Sequence, residues 1–180
     1  MNPRAPAAEP KDVAPRAPAV VPASFPPAEL KATCEKILAR YPTKMAALLP
    51  ILHEAQAFGG GWVSPELEAG VAAYLDLSPA HVHGVLTFYS MYNTKPAGRH
   101  ELWVCRTLSC WRRGAPELRA KALDKAGCTR TGEVGEDGRF LVKDMECLGL
   151  CEQAPAIWLD GVAHANVTTE GLEQLMDGCE

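Results

Sequence analysis

No stretch of this 180-residue sequence is apolar for long enough to span a bilayer. The longest run without formal charge, residues 77–94, is broken by Pro79, His81, His83 and Asn93. Basic clusters are equally scarce: the largest is the Arg112–Arg113 pair, and the formal net charge is −4. That argues against nucleic acid as the main partner. The N-terminus has no basic stretch leading into a continuous apolar one, so no secretory signal is read. The chain is expected in the cytoplasm, where thiols stay reduced. No Gly-x-Gly-x-x-Gly follows a strand-like segment, so no dinucleotide cradle is predicted. Gly59-Gly60-Gly61 reads instead as a helix terminator. Cys-x-x-Cys and internal repeats are also missing.

What the sequence does have is cysteine, seven in all. An odd number in a reducing compartment fits a metal site with bystanders better than a disulfide framework. Hydrophobic residues make up 47% and charged residues 22% of the chain, ordinary values for a globular protein.

Residues 1–27 hold 8 of the 15 prolines, with mostly Ala besides. So little apolar bulk predicts a disordered or polyproline-like tail. From there to about residue 95 the text is helical. Residues 29–40 carry Leu30, Cys34, Ile37 and Leu38 at helical spacing. A second helix is capped by Thr43, with Pro50 expected to bend it. Ser64-Pro65 and Ser78-Pro79 open helices near 65–75 and 79–89. After Pro96-Ala97-Gly98 the period changes. Strands are predicted at 100–105, 139–145 and 155–160, and helices at 115–126 and 168–177. The expected architecture is α+β, a four-helix unit (28–95) followed by a small α/β unit (96–180).

Four cysteines sit where loops should follow strands: Cys105 and Cys110 in CRTLSC, Cys147 and Cys151 in CLGLC, separated by 36 residues. Their spacing leaves three chemistries open. An iron–sulfur cluster accepts the wide x4 gap, because its ligands bind two irons. Structural zinc prefers pairs two to four residues apart, which puts the first pair at the edge of the range. Redox-active thiols would want Cys-x-x-Cys at a helix start.

The flanking text carries more. GVLTFYSMYNTKPAGRHELWVCRTLSC (84–110), WRRGAPEL (111–118) and ECLGLCEQAPAIWLDG (146–161) resemble the thioredoxin-like [2Fe-2S] ferredoxin family, and within it the 24-kDa subunits of respiratory complex I. The resemblance covers nearly all of residues 28–180. It implies a thioredoxin-like domain in which Cys105, Cys110, Cys147 and Cys151 hold one [2Fe-2S] cluster, preceded by a helical domain that docks onto partners. Gly114 and Ala154-Pro155 also match the family pattern, whereas Leu150 stands where Ala is frequent. The further implication is an electron-carrier role in an NADH:quinone oxidoreductase, beside a flavoprotein subunit that binds FMN and NADH. The chain would then belong to the peripheral arm on the cytoplasmic face of a membrane-bound complex, with no membrane span and no catalysis in isolation. The alternatives are the equivalent subunit of an NAD-linked hydrogenase or formate dehydrogenase and, more remotely, a structural zinc protein.

Charges beside such a centre tune its potential. Asp144, Glu146 and Glu152 would lower it, and Arg106, Arg112 and Arg113 would raise it. One charge at ~10 Å and an effective dielectric of ~20 is worth about 70 mV for one electron. Backbone N–H groups of loops 106–114 and 148–153 are expected to face the sulfurs, with Gly114 and Gly149 permitting close approach. Cys34 is expected in the helical core, Cys128 and Cys179 as bystanders, and His81 and His83 on a helix surface. Trp111 has three readings: a shield, a partner contact, or packing. The Phe88, Tyr89, Met91 and Tyr92 patch reads as core between domains, with a binding face as the second reading.

Overall fold

The structure is a computed structural model that describes residues 25–179. The tail predicted from 1–27 therefore lies largely outside the described residues. Phe25, which that prediction includes, packs its ring edge against Tyr74 at 5.8 Å. The described residues form two compact units that divide between Pro96 and Ala97.

The first unit is helical: α1 (Ala28–Arg40), a 3-10 turn (Met45–Ala47), α2 (Leu48–Phe58), α3 (Pro65–Leu75) and α4 (Pro79–Phe88). Ser64 and Ser78 cap α3 and α4 as predicted, accepting from the N–H groups of Leu67 and His81, each at 3.2 Å. The helix expected after Thr43 is divided into a 3-10 turn and α2, and Pro50 falls in the first turn of α2. There its missing N–H has no helical partner to lose. The apolar faces close over a core that includes Cys34, Ile51, Leu52, Leu67, Val71, Val82 and Leu86. Tyr92 joins this core and donates its hydroxyl to the Leu49 carbonyl at 2.8 Å, and burial pushes its pKa up to about 12. Phe88, by contrast, is 79% exposed.

The second unit holds β1 (His100–Cys105), α5 (Leu108–Trp111), α6 (Ala115–Ala126), β2 (Phe140–Met145), β3 (Ile157–Leu159), β4 (Val162–His164) and α7 (Thr169–Asp177). The sheet order is β2-β1-β3-β4. β1 and β2 run parallel, whereas β1–β3 and β3–β4 are antiparallel. Leu102 and Val104 of β1 share a core with Leu118 and Ala122 of α6 and with Leu172 and Met176 of α7. On the other face a row of side chains crosses the strands. Trp103 pairs in register with Lys143 and Trp158, its ring stacks on that of Trp158 at 4.1 Å, and the Lys143 ammonium lies over it.

The parallel pairing is what positions the site. Cys105 is in register with Met145, so the loops after β1 and β2 leave the sheet at the same edge. β3 starts at that edge as well, where the Cys105 N–H donates to the Ala156 carbonyl at 3.2 Å. Among the described residues no helix is long and apolar enough to cross a membrane.

Candidate metal centre

Cys105 is the last residue of β1, and Cys110 lies in the short helix α5. Cys147 follows β2 by two residues, and Cys151 opens a 3-10 turn, Cys151–Gln153. The four lie at or just beyond the C-terminal ends of β1 and β2, but in unlike surroundings. Cys105 and Cys110 are buried, whereas Cys147 and Cys151 are exposed.

The sulfurs form two pairs. Cys105 and Cys110 share a hydrogen bond between their side chains, and the Cys147 and Cys151 sulfurs are 3.5 Å apart. Among the described residues, no three of these four sulfurs lie within 4.8 Å of one another. A single zinc ion with Zn–S near 2.3 Å would draw all four to about 3.8 Å. Two pairs suit two metal ions better than one.

Backbone and hydroxyl donors converge on the sulfurs. The Gly149 N–H donates to Cys147 Sγ at 3.3 Å. The Thr107 hydroxyl lies 3.2 Å from Cys105 Sγ. Burial pushes the Cys105 thiol up, but bonds from the Thr107 hydroxyl and from the N–H groups of Thr107 and Leu148 outweigh it, and the net direction is down. Burial and then the bond with Cys105 push Cys110 up to about 11, although the Ala156 N–H bonds to it. In the outer pair the Gly149 N–H, then the Cys151 thiol, hold Cys147 below its ordinary value, and Cys147 in turn raises Cys151. Each pair thus contains one thiol shifted down and one shifted up. Cations bound there would take the thiol protons' place. Four sulfur donors ringed by N–H groups fit an anionic iron–sulfur group.

Glycine contributes here through its backbone, not through space. Gly114 and Gly149 have φ of +97° and +78°. A Cβ on Gly149 would meet nothing within 4 Å, and one on Gly114 would make an ordinary contact with Glu117. Close approach is therefore not the reason for either residue. The left-handed conformation is.

The charged residues around the loops largely neutralise each other. Arg106 Nε donates to Glu146 at 2.8 Å, and Arg119 Nε donates to Asp144 at 2.7 Å. Arg113 reaches the Ala154 carbonyl at 3.4 Å, holding the first loop to the second. Leu108 and Trp111 of α5 are 73% and 61% exposed, so packing does not account for Trp111. Leu150 is partly buried against the core of this unit.

Among the residues set aside, Cys34 is fully buried in the helical core. His83 is exposed and bonds Glu68 at 3.1 Å. Cys128 is partly buried, with Sγ 3.5 Å from the Glu133 carbonyl. Cys179 lies with His100 and Asp160, their donor atoms all within 4.8 Å of one another. Sequence reasoning missed this set, because its members are 60 and 19 residues apart and follow no motif.

A family model for thioredoxin-like [2Fe-2S] ferredoxins matches residues 34–180. An NADH-quinone oxidoreductase subunit from Rickettsia bellii is 34% identical over 145 residues, covering 79% of this chain and 86% of that protein. NADH-quinone oxidoreductase subunit 2 of Thermus thermophilus is 39% identical over 147 residues, covering 80% of each. A crystal structure of an NAD+-reducing [NiFe]-hydrogenase aligns with a TM-score of 0.62 and 22% identity. It covers 72% of this chain and 21% of the hydrogenase chain, a likeness of fold alone. The α+β architecture, helices followed by a thioredoxin-like domain, holds.

Proposed function

The chain belongs to the thioredoxin-like [2Fe-2S] ferredoxin family, and on that premise we propose that it is the electron-transfer subunit of an NADH:quinone oxidoreductase. Cys105 and Cys110 would ligate one iron of a single [2Fe-2S] cluster, and Cys147 and Cys151 the other. The observation that carries this reading is the arrangement of the four sulfurs as two close pairs at one sheet edge, with N–H donors on them. When bound, such a cluster accepts and releases one electron at a time.

The chain's own residues do the rest. The N–H groups of Thr107, Leu148, Gly149 and Ala156 stabilise negative charge on the sulfurs. The Arg106–Glu146 pair ties the two loops together and is nearly neutral toward the centre. Burial of Cys105 and Cys110 excludes water from the inner side, so exchange with a partner takes place at the exposed rim of Cys147, Cys151 and Trp111. The partner is a flavoprotein subunit that binds FMN and NADH, and the assembly lies on the cytoplasmic face of a membrane. The curated relatives at 34% and 39% identity bear quinone-oxidoreductase names. They favour that assembly over an NAD-linked hydrogenase, whose likeness is structural.

The test is reduction by NADH. Alone, the iron-loaded chain should stay oxidised when NADH is added, and with the co-expressed flavoprotein subunit it should bleach. Bleaching of the isolated chain, or none in the pair, would contradict the proposal.

A further inference from the structure

At the other end of β1 lies a second constellation of donor groups. His100 opens that strand and Cys105 closes it, so five residue steps of roughly 3.3 Å put about 16 Å between the two positions. Asp160 occupies the turn between β3 and β4, with φ of +46°. Cys179 follows α7. Three separate segments thus deliver an imidazole, a carboxylate and a thiol to one place, every donor atom within 4.8 Å of the others.

We propose that His100, Asp160 and Cys179 form a second metal site, taking a divalent cation of the zinc type and fastening the C-terminal segment to the sheet. Nitrogen, oxygen and sulfur donors together are the zinc set, with metal–ligand distances of about 2.0–2.3 Å. Tetrahedral geometry then needs about 3.3–3.8 Å between donors, so shifts of roughly 1 Å at the side-chain tips complete the site. Three protein ligands leave a fourth position for water.

The surroundings hold these groups ready. His100 Nδ1 and Asp160 Oδ2 are 2.5 Å apart, and their side chains are only 10% and 12% exposed. The second oxygen of Asp160 accepts from the Glu101 N–H at 2.8 Å, which fixes the carboxylate on the strand. Arg139 donates to the carbonyls of Met176, at 3.0 Å, and of Cys179, which anchors the backbone that carries the thiol. The Cys179 thiol donates to the Leu175 carbonyl at 3.3 Å. Burial and then Asp160 push its pKa up, against the pull of Arg139. Binding would release the Cys179 thiol proton and displace the hydrogen between His100 Nδ1 and Asp160 Oδ2, leaving a neutral imidazole with its hydrogen on Nε2, and the thiolate and carboxylate would balance the dication's two charges. The Arg139 charge opposes a cation, but its hydrogen bonds go to carbonyls, so it need not move.

This inference is independent of the role proposed for the four loop cysteines, and its test keeps the two apart. The full chain, purified anaerobically with its iron–sulfur centre intact, is equilibrated with Zn2+ and freed of excess. Zinc, iron and sulfide are then counted in the same sample. We expect one equivalent of zinc at undiminished iron, and a rise in Tm of a few degrees on zinc addition. Cys179→Ser should lose both the zinc and the Tm rise while keeping its iron. His100→Gln should lose the zinc too, and its own circular dichroism shows whether it is folded. Zinc retained equally by Cys179→Ser, or no zinc retained by the wild type at full iron, would overturn the proposal.

Discussion

Gly149 has open space where a side chain would go, yet its φ of +78° is one that L side chains rarely adopt. Forcing a β-branched residue into that conformation costs roughly 1–3 kcal/mol. The chain would relax by turning the peptide that donates to Cys147 Sγ. Gly149→Val should therefore lower iron occupancy or shift the visible spectrum, and an unchanged spectrum at full occupancy would refute the role given to this N–H. Glu146 makes a complementary case. Glu146→Gln frees the Arg106 charge beside the second pair and should raise the midpoint potential by roughly 20–70 mV, the upper figure applying before screening by solvent and salt. A redox titration followed by EPR measures it. At this scale the four loop cysteines were legible, because spacing and flanking text both point to them. Their unequal burial was not: it depends on β3 returning beside β1, a long-range contact that no local pattern encodes. The same holds for His100 and Asp160, ordinary residues until the strands bring them together.

Elements with local signals were read almost to the residue: α3 and α4 from Ser-Pro, and β1 and α6 at the bounds expected for them. Those missed are short. α5 has four residues and β4 three, too few to show a period, and each exists because a neighbour supports it. Ser64 tests a legible element. It is buried and caps α3, so Ser64→Ala should cost about 1 kcal/mol in chemical denaturation. Asp144 tests one that tertiary structure made, because it accepts from Arg119 of α6 and from Thr131 at 2.8 Å. Burial pushes its carboxyl up, but these bonds and the charges of Arg119 and Arg106 outweigh that, and the net direction is down. A carboxyl depressed in the folded state adds stability above its unfolded value, near 3.9, and loses it as pH falls through the folded value. The gap between the wild type and Asp144→Asn, about 0.5–1 kcal/mol, should be complete at pH 6 and close below about pH 4. A gap that persisted into acid would show that the charge is not its source.

For the whole molecule the question is how the exposed rim meets a partner. Leu108 and Trp111 put apolar surface beside Cys110, with Arg112 and Arg113 following directly. Aromatic and arginine side chains are the groups that dominate binding at interfaces. Trp111→Ala should leave the chain's own spectrum unchanged and weaken its co-purification with the flavoprotein subunit roughly tenfold or more. Equal recovery would place the contact elsewhere. All of this rests on what the four loop cysteines hold, and the most direct measurement is iron and sulfide analysis of the anaerobically purified chain with EPR after dithionite reduction. The account predicts two irons and two sulfides per chain and a rhombic S = 1/2 signal, lost in Cys110→Ala and Cys147→Ala. A folded chain free of iron, or one holding a single zinc at these cysteines, would contradict it.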